Sequence, residues 1–234
     1  MNVRVIGRGL STLLLAWVVA SNASAADGEA ILQAQCASCH HLDGPAQTTL
    51  RALMERKGPD LSYAGNKYKA DWMQRWLQNP QRIRPAGMYY GLHVISTPGG
   101  DRIDSASLKD HPALAQEDAR AVTSALMTRK AHGELLHPGE YHAGHISLTM
   151  GEMMFDKFKG CLACHRIEPE YGGLSGPEVY TATDRLQEDY LMSYMRNPQA
   201  WDPRIFMPNK QLNDRDLAKF IDYMHALSAT GEEQ

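Results

Sequence analysis

The strongest constraint on this chain is a five-residue pattern, Cys-x-x-Cys-His, that occurs twice, at residues 36–40 and 161–165. Two thiols three positions apart can each bond one of the two vinyl groups of a single porphyrin, and the adjacent imidazole can then bind the iron. The chain has four cysteines, and all four lie in these motifs. The sequence therefore predicts two covalently bound haem c groups, attached through Cys36, Cys39, Cys161 and Cys164.

Other uses of paired cysteines fit the spacing less well. A zinc ribbon needs its two Cys-x-x-Cys halves about 15–20 residues apart, whereas about 120 residues separate these pairs. A thioredoxin-type dithiol is expected within a βαβ pattern, which this sequence lacks. Zinc binding and dithiol chemistry stand as the alternatives to haem.

The first 25 residues have the pattern of a secretory signal peptide. Arg4 and Arg8 precede an apolar run over residues 10–20, and residues 23–25 form an A-x-A cleavage site. The run is too short to span a membrane, and the rest of the chain has no longer one. We therefore expect a mature protein without an integral membrane segment, exported to the periplasm, where haem c is attached.

The two motifs belong to a longer internal repeat. In both copies a short helical segment leads into the motif, and a Gly-Pro pair (Gly58, Gly176) is followed 21 residues later by Asn-Pro-Gln (Asn79, Asn197). The intervening segments have helical apolar spacing, and each copy ends in an amphipathic helix. No stretch has a strand pattern. We predict an all-α chain with a signal peptide at 1–25, a first haem domain at 26–130, a linker at 131–147 and a second haem domain at 148–234.

The two copies are not equal in length. Copy one has extra residues before Gly58, including a helix-like stretch at 48–57, and about 20 more at residues 89–108, where Pro98 and Gly99-Gly100 indicate a loop. The linker is rich in Gly, His and Pro. Its histidines are irregularly spaced, which favours a solvated linker over a metal site: His132, His137, His142 and His145.

Each haem iron takes one ligand from its motif, His40 or His165, and has a sixth position opposite. A methionine there raises the reduction potential and suits electron transfer. Met207, in a proline-bounded loop before the last helix, is the predicted sixth ligand of the second haem.

The sixth ligand of the first haem is less constrained. Met88 follows the Asn-Pro-Gln triplet at the place equivalent to Met207 and is the predicted ligand. His93 and His111 are alternatives, and His111-Pro112 imitates Met207-Pro208 shortly before the last helix of its copy. An open sixth position is the remaining possibility.

The charge is unevenly distributed. Residues 26–133 carry 13 basic and 11 acidic side chains, whereas residues 134–234 carry 9 and 16. Such asymmetry can orient the encounter with a charged partner, although ordinary surface variation also accounts for it. Nothing in the pattern indicates nucleic-acid binding.

At the two motifs, the two Gly-Pro pairs, Met88 and Met207, the sequence resembles the class I c-type cytochromes. The tandem layout is similar to the two-haem cytochromes of the cytochrome c-four type, and the resemblance covers nearly all of the mature chain. It implies two cytochrome c-like domains with a pseudo-twofold relation and electron delivery to a terminal oxidase or a periplasmic reductase. The extra residues of copy one and the long linker depart from that pattern.

Two further sets of residues are candidates for the haem surroundings. Aromatic side chains for the pocket walls, or equally for plain core, are Tyr63, Trp72, Trp76, Tyr180, Tyr190 and Tyr194. Basic side chains that could pair with propionates are Lys67, Lys69, Arg82, Arg84, Arg185, Arg196 and Arg204.

The predicted function is electron transfer in a respiratory chain, without chemistry on a substrate, between redox proteins such as an oxidase, a reductase or a dehydrogenase. A second hypothesis is a haem-carrying subunit of a periplasmic dehydrogenase, with residues 89–108 as the interface. A third is a dihaem enzyme, either a peroxidase, for which the chain is short, or a sulfur-compound oxidoreductase, for which it has no spare cysteine.

Overall fold

The computed structural model describes residues 25–231 of the 234-residue chain. The predicted signal peptide lies outside the described residues except for Ala25, which begins the first helix. Within the described part the α-helices are α1 Ala25–Ile31, α2 Leu50–Glu55, α3 Ala64–Lys67, α4 Ala70–Gln78, α5 Gln116–Met127, α6 Leu148–Met153, α7 Ala182–Arg185, α8 Glu188–Arg196, α9 Pro198–Trp201 and α10 Asp214–Gly231. The strands are β1 Val94–Thr97, β2 Gly100–Ile103, β3 Arg166–Glu168 and β4 Tyr171–Gly172.

The first motif is carried by the crossing of α1 and α5. A Cβ atom on Gly28 of α1 would lie 2.0 Å from the carbonyl oxygen of Ala121 on α5, so only glycine allows this close approach. After α1 the chain makes one π-helical turn, Leu32–Cys36, which ends on the first cysteine of the motif. Packing of the two helices therefore fixes where the motif begins.

The second motif is carried in the same way by α6 and α10. A Cβ atom on Gly151 of α6 would lie 2.1 Å from the ring of Tyr223 on α10. A π-helical turn, Met154–Phe158, again follows the helix and leads towards Cys161. The predicted helical entry into both motifs is confirmed.

The helices predicted between the Gly-Pro and Asn-Pro-Gln segments are also present. They are α4 and α8, and each ends one residue before an asparagine that precedes a proline. Proline disfavours helical geometry in the residue before it, which explains both ends. Within residues 25–231, no helix combines the length and the apolar content that crossing a membrane requires.

The two halves meet across a local twofold relation. Tyr68 and Leu186, which lie 118 positions apart in the sequence, form an isolated antiparallel bridge. On either side of it the amide of Lys69 donates to the carbonyl of Arg185, and the amide of Gln187 donates to the carbonyl of Lys67, both at 3.0 Å. Each of these two bonds becomes the other when every residue is replaced by its equivalent in the other half. The Gly-Pro pairs are also 118 positions apart, so the junction pairs residues that are equivalent in the repeat.

Two short hairpins depart from the expectation that no strand would form, in a chain that is otherwise mostly helical. In residues 89–108, β1 pairs with β2 from Val94↔Ile103 to Thr97↔Gly100. Pro98 and Gly99 form the turn between them, and Gly100 has a φ of +109°. The Pro-Gly signal read as a loop is a two-residue hairpin connection. The second hairpin, β3–β4, directly follows the second motif.

The linker is more ordered than its composition indicates. The amide of Gly144 and the hydroxyl of Tyr141 both donate to Oδ1 of Asp222 on α10, at 2.8 and 2.9 Å. Lys219 donates to the other carboxylate oxygen at 3.1 Å. Burial raises the pKa of Asp222, but these three donors outweigh it and leave that pKa lowered. One buried carboxylate thus ties the linker to the second half.

We predict that Asp222→Ala lowers the free energy of unfolding by about 1–3 kcal/mol, because it removes the shared acceptor of three hydrogen bonds. Denaturant unfolding at neutral pH measures this loss.

The contribution of Asp222 to stability depends on pH. Because the pKa of Asp222 is lowered in the folded state, the ionised carboxylate stabilises the fold fully above the unfolded-state pKa of about 3.9, and this contribution declines as the pH falls below that value. Asp214→Ala, on an exposed side chain of the same helix, should cost less than about 1 kcal/mol. Equal losses for the two variants would contradict the role of Asp222.

Candidate haem sites

The imidazole of the first motif is held by a backbone carbonyl. His40 Nδ1 lies 2.8 Å from the carbonyl oxygen of Pro59. A carbonyl only accepts hydrogen bonds, so Nδ1 carries the proton and Nε2 keeps its lone pair. A Cβ atom on Gly58 would lie 2.4 Å from Cε1 of His40. The Gly-Pro pair therefore supplies both the acceptor and the space for the ring.

The second motif repeats this geometry. His165 Nδ1 lies 2.7 Å from the carbonyl oxygen of Pro177, and a Cβ atom on Gly176 would lie 2.7 Å from Cε1 of His165. Burial lowers the pKa of His165 to about 4, and burial also lowers the pKa of His40. Both imidazoles are therefore neutral at physiological pH, and each presents an unprotonated Nε2.

The cysteines of both motifs lie on one kind of turn. The amides of Cys39 and His40 both donate to the carbonyl of Cys36. The second motif has the same pair of bonds, made to the carbonyl of Cys161. All four thiols are free, the first of each pair half-buried and the second exposed. Burial raises the pKa of Cys36 and Cys161.

These residues fit haem c: two free thiols beside an oriented, neutral imidazole are the donors that its covalent attachment and axial ligation require. The zinc alternative finds no support, because the described residues contain no group of three or more His, Cys, Asp or Glu side chains that could hold a metal ion. The same observation argues against a metal site in the linker. His132, for example, packs between the rings of Tyr63 and Trp201.

Met207, predicted opposite His165, lies in the loop between α9 and α10. Its side chain is partly buried and packs against the hydrophobic core. The side-chain amide of Gln199 donates to the backbone carbonyl of Met207 at 2.7 Å, which fixes the loop. Gln199 belongs to the Asn-Pro-Gln triplet, so in the second copy this triplet positions the methionine.

The three candidates opposite His40 are in different surroundings. Met88 is partly buried but, within residues 25–231, is not among the apolar side chains that pack on the core. His93 Nδ1 bonds Ser107 Oγ at 2.8 Å. The ring centre of His111 lies 6.1 Å from that of His40. Of the three, His111 is the one for which a contact with the first motif is observed.

All the aromatic candidates except Tyr180 fall into two groups. Tyr68, just before α4, stacks with Trp72 and Trp76 of that helix, with successive ring centres 5.6 Å apart, and Trp76 contacts His111 at 4.7 Å. The other group lies at the junction of the halves around Trp201, which contacts Tyr63 and Tyr190 at 5.2 and 4.9 Å. Trp201 was missed in the sequence, although a bulky apolar residue directly after Asn-Pro-Gln-Ala was the available signal.

Arginines at the junction differ in how their charge is balanced. Arg56 forms a buried ion pair with Asp202, and Arg185 lies 3.4 Å from the carboxylate of Glu178. Arg84 instead donates to the carbonyl of Ser175 at 3.0 Å, and no carboxylate among the described residues forms an ion pair with it. Burial lowers its pKa.

The positive charge of Arg84 acts on His165 of the second motif. The guanidinium groups of Arg84 and Arg185 add to burial in lowering the pKa of His165. Arg84 belongs to the first half of the chain, so this is an electrostatic contact across the junction. A cation at this position, without a carboxylate partner, favours a bound anionic group nearby.

Residues 25–129 match the family model described as cytochrome c. The match covers the part of the chain that holds the first motif and supports a cytochrome c domain with covalently bound haem c there. No curated protein matches the chain, and no solved structure does.

We predict that alanine at Gly58 or Gly176 lowers the free energy of unfolding by about 1–3 kcal/mol, because the added methyl group overlaps the imidazole and displaces it from the proline carbonyl. Denaturant unfolding of the two variants measures the loss.

Gly133→Ala is the matched control, since its Cβ atom would meet nothing nearer than Asn66 Nδ2 at 3.7 Å. It should change stability by no more than about 0.5 kcal/mol. Wild-type stability in both Gly-Pro variants would show that the ring does not occupy the observed position.

Proposed function

We propose that this protein is an exported dihaem c-type cytochrome that carries electrons between redox proteins in the periplasm. The observation that carries the proposal is the repeated site geometry. At both motifs an imidazole is held through Nδ1 by a proline carbonyl above a glycine, with two free thiols on the preceding turn. The family match covers the first of these sites, and the second has the same contacts residue for residue.

When bound, haem supplies an iron that exchanges one electron at a time. The chain supplies the rest of the site. In each copy the two cysteines would anchor the group and the motif histidine would offer Nε2 to the metal, while the proline carbonyl keeps that histidine in the required tautomer. At the second site the buried ring of Phe155 packs on the His165 imidazole, and burial is one of the factors that set a haem potential.

His165 and Met207 are the proposed axial pair at the second haem. Met207 is already seated against the core by the bond between Gln199 and its carbonyl, so binding requires little ordering of its loop. At the first haem His40 is the proposed proximal ligand. Met88 is the ligand predicted opposite it, and the structure offers the imidazole of His111 as a competitor.

The layout of the chain also supports transfer between two haems in one molecule. The halves share a single hydrophobic core and are joined by the twofold bridge at Tyr68 and Leu186. Residues 1–25 have the export pattern that haem c attachment requires. The first half is basic and the second half is acidic, so an acidic partner protein is attracted to the first half and a basic one to the second.

A second candidate function is a haem-carrying subunit of a periplasmic dehydrogenase. It is favoured by two exposed apolar side chains in residues 89–108, Leu92 and Ile95, with 59% and 47% of their surface exposed. Isolation of the native protein in a fixed ratio with a catalytic chain would favour this candidate, and isolation as a free carrier would favour the first.

The haem count tests the proposed function. We predict two haems per chain in the mature protein, measured as the pyridine haemochrome against protein mass. Replacement of Cys36 and Cys39 by serine should leave one haem, and so should the matched replacement of Cys161 and Cys164. One haem in the wild-type protein, or no haem lost in either double variant, would refute the dihaem proposal.

We also predict that Arg84→Gln lowers the reduction potential of the second haem. A positive charge disfavours the oxidised iron, so its removal stabilises that state. The shift should be tens of millivolts, since a tenfold change in a one-electron equilibrium equals about 59 mV. Arg82→Gln is the control, because Arg82 is already paired with Asp110 at 2.9 Å. Equal shifts in the two variants would argue against a specific effect of Arg84.

A further inference from the structure

We propose that the imidazole of His111 is the sixth ligand of the first haem iron, so that this haem has two histidine ligands and the second has histidine and methionine. The inference rests on the proposed function, because it requires haem at residues 36–40. The proposed ligand, His111, replaces Met88, and the family match does not identify it.

The distance between the two imidazoles carries the inference. Metal–nitrogen bonds to imidazole are about 2.0–2.1 Å long, and the ring centre lies about 1.1 Å beyond the nitrogen, so two imidazoles on opposite sides of one metal have ring centres about 6.2 Å apart. The observed separation of His40 and His111 is 6.1 Å. Their planes are inclined by 59°, which axial ligation permits because each ring can rotate about its own bond to the metal.

The hydrogen bonds of His111 leave the correct nitrogen for such a bond. Its Nδ1 lies 2.8 Å from the carbonyl oxygen of Pro112, so Nδ1 carries the proton and Nε2 keeps its lone pair. His40 has the same arrangement, with Pro59 as the acceptor. Each imidazole therefore has the tautomer that binds a metal through Nε2.

The ring of His111 is also fixed in place. It packs on Trp76 of α4 with ring centres 4.7 Å apart. Three residues later the amide of Leu114 donates to the carbonyl of Leu77 at 2.8 Å, which fastens this segment to the same helix. Binding at His111 would therefore cost little conformational entropy.

The other candidates are less well placed. His93 is held by Ser107 through Nδ1, and among the described residues the imidazole in ring contact with His40 is that of His111, not of His93. Within residues 25–231, no side chain bonds Met88 as Gln199 bonds Met207. The corresponding glutamine, Gln81, donates instead to Asn79 at 3.3 Å.

Absorption and electron paramagnetic resonance spectra of the ferric dihaem protein test the ligand. An iron–thioether bond gives a charge-transfer band in the red, which an iron with two imidazoles lacks. We expect this band at the intensity of one haem. Met207→Ala should abolish it, and Met88→Ala should leave it unchanged. His111→Ala should convert one haem to a high-spin form that added imidazole returns to low spin.

Two further variants show whether a spectral change comes from loss of the ligand or from a folding defect. His111→Met keeps a ligand at the position and should add a second thioether band and raise the potential of the first haem. His93→Ala, the matched histidine in the same half, should leave the spectra unchanged.

The inference is overturned if Met88→Ala halves the band, if His111→Ala leaves the spectra unchanged, or if the first haem of the wild-type protein is already high-spin. These outcomes are distinct from failure of the proposed function. Two haems per chain with an unchanged His111→Ala spectrum refute only the ligand, whereas absence of haem at residues 36–40 refutes both.

Discussion

The hydrogen bond from a histidine Nδ1 to a proline carbonyl is the interaction on which both sites depend. It fixes the tautomer of His40 and His165 and aims Nε2 away from the backbone. The bond can form only because Gly58 and Gly176 have no side chain to meet the ring. The π-helical turns after α1 and α6 then lead the chain into the two motifs.

The junction gives the two sites a defined relation. Because the bridge at Tyr68 and Leu186 pairs equivalent residues, each half presents the same surface to the other, as in an isologous dimer. The symmetry is broken by charge. Arg84 in the first half corresponds in position to Asp202 in the second, and Asp202 is neutralised by Arg56 whereas Arg84 has no such partner among the described residues. Two similar sites therefore have different electrostatic surroundings, and two haems bound there, as we propose, would have different potentials.

Local patterns in the sequence predicted the parts of the fold that local forces determine. The Cys-x-x-Cys-His motifs, the spacing of the Gly-Pro pairs and the ends of α4 and α8 before proline all follow from neighbouring residues. Contacts between distant residues were not predictable. The linker was read as solvated because its order depends on Asp222, far along the chain. The hairpin β1–β2 was missed because Pro98 and Gly99 mark a loop and a hairpin turn equally well. His111 was one of several candidates until the fold placed it beside His40.

The central claim is that one chain holds two haems in unequal surroundings, and a potentiometric titration of the mature protein tests it most directly. The account predicts two one-electron steps at separate potentials, with the lower step at the first haem, because methionine ligation raises the potential of the second. A single one-electron step per chain, or two steps at the same potential, would contradict it.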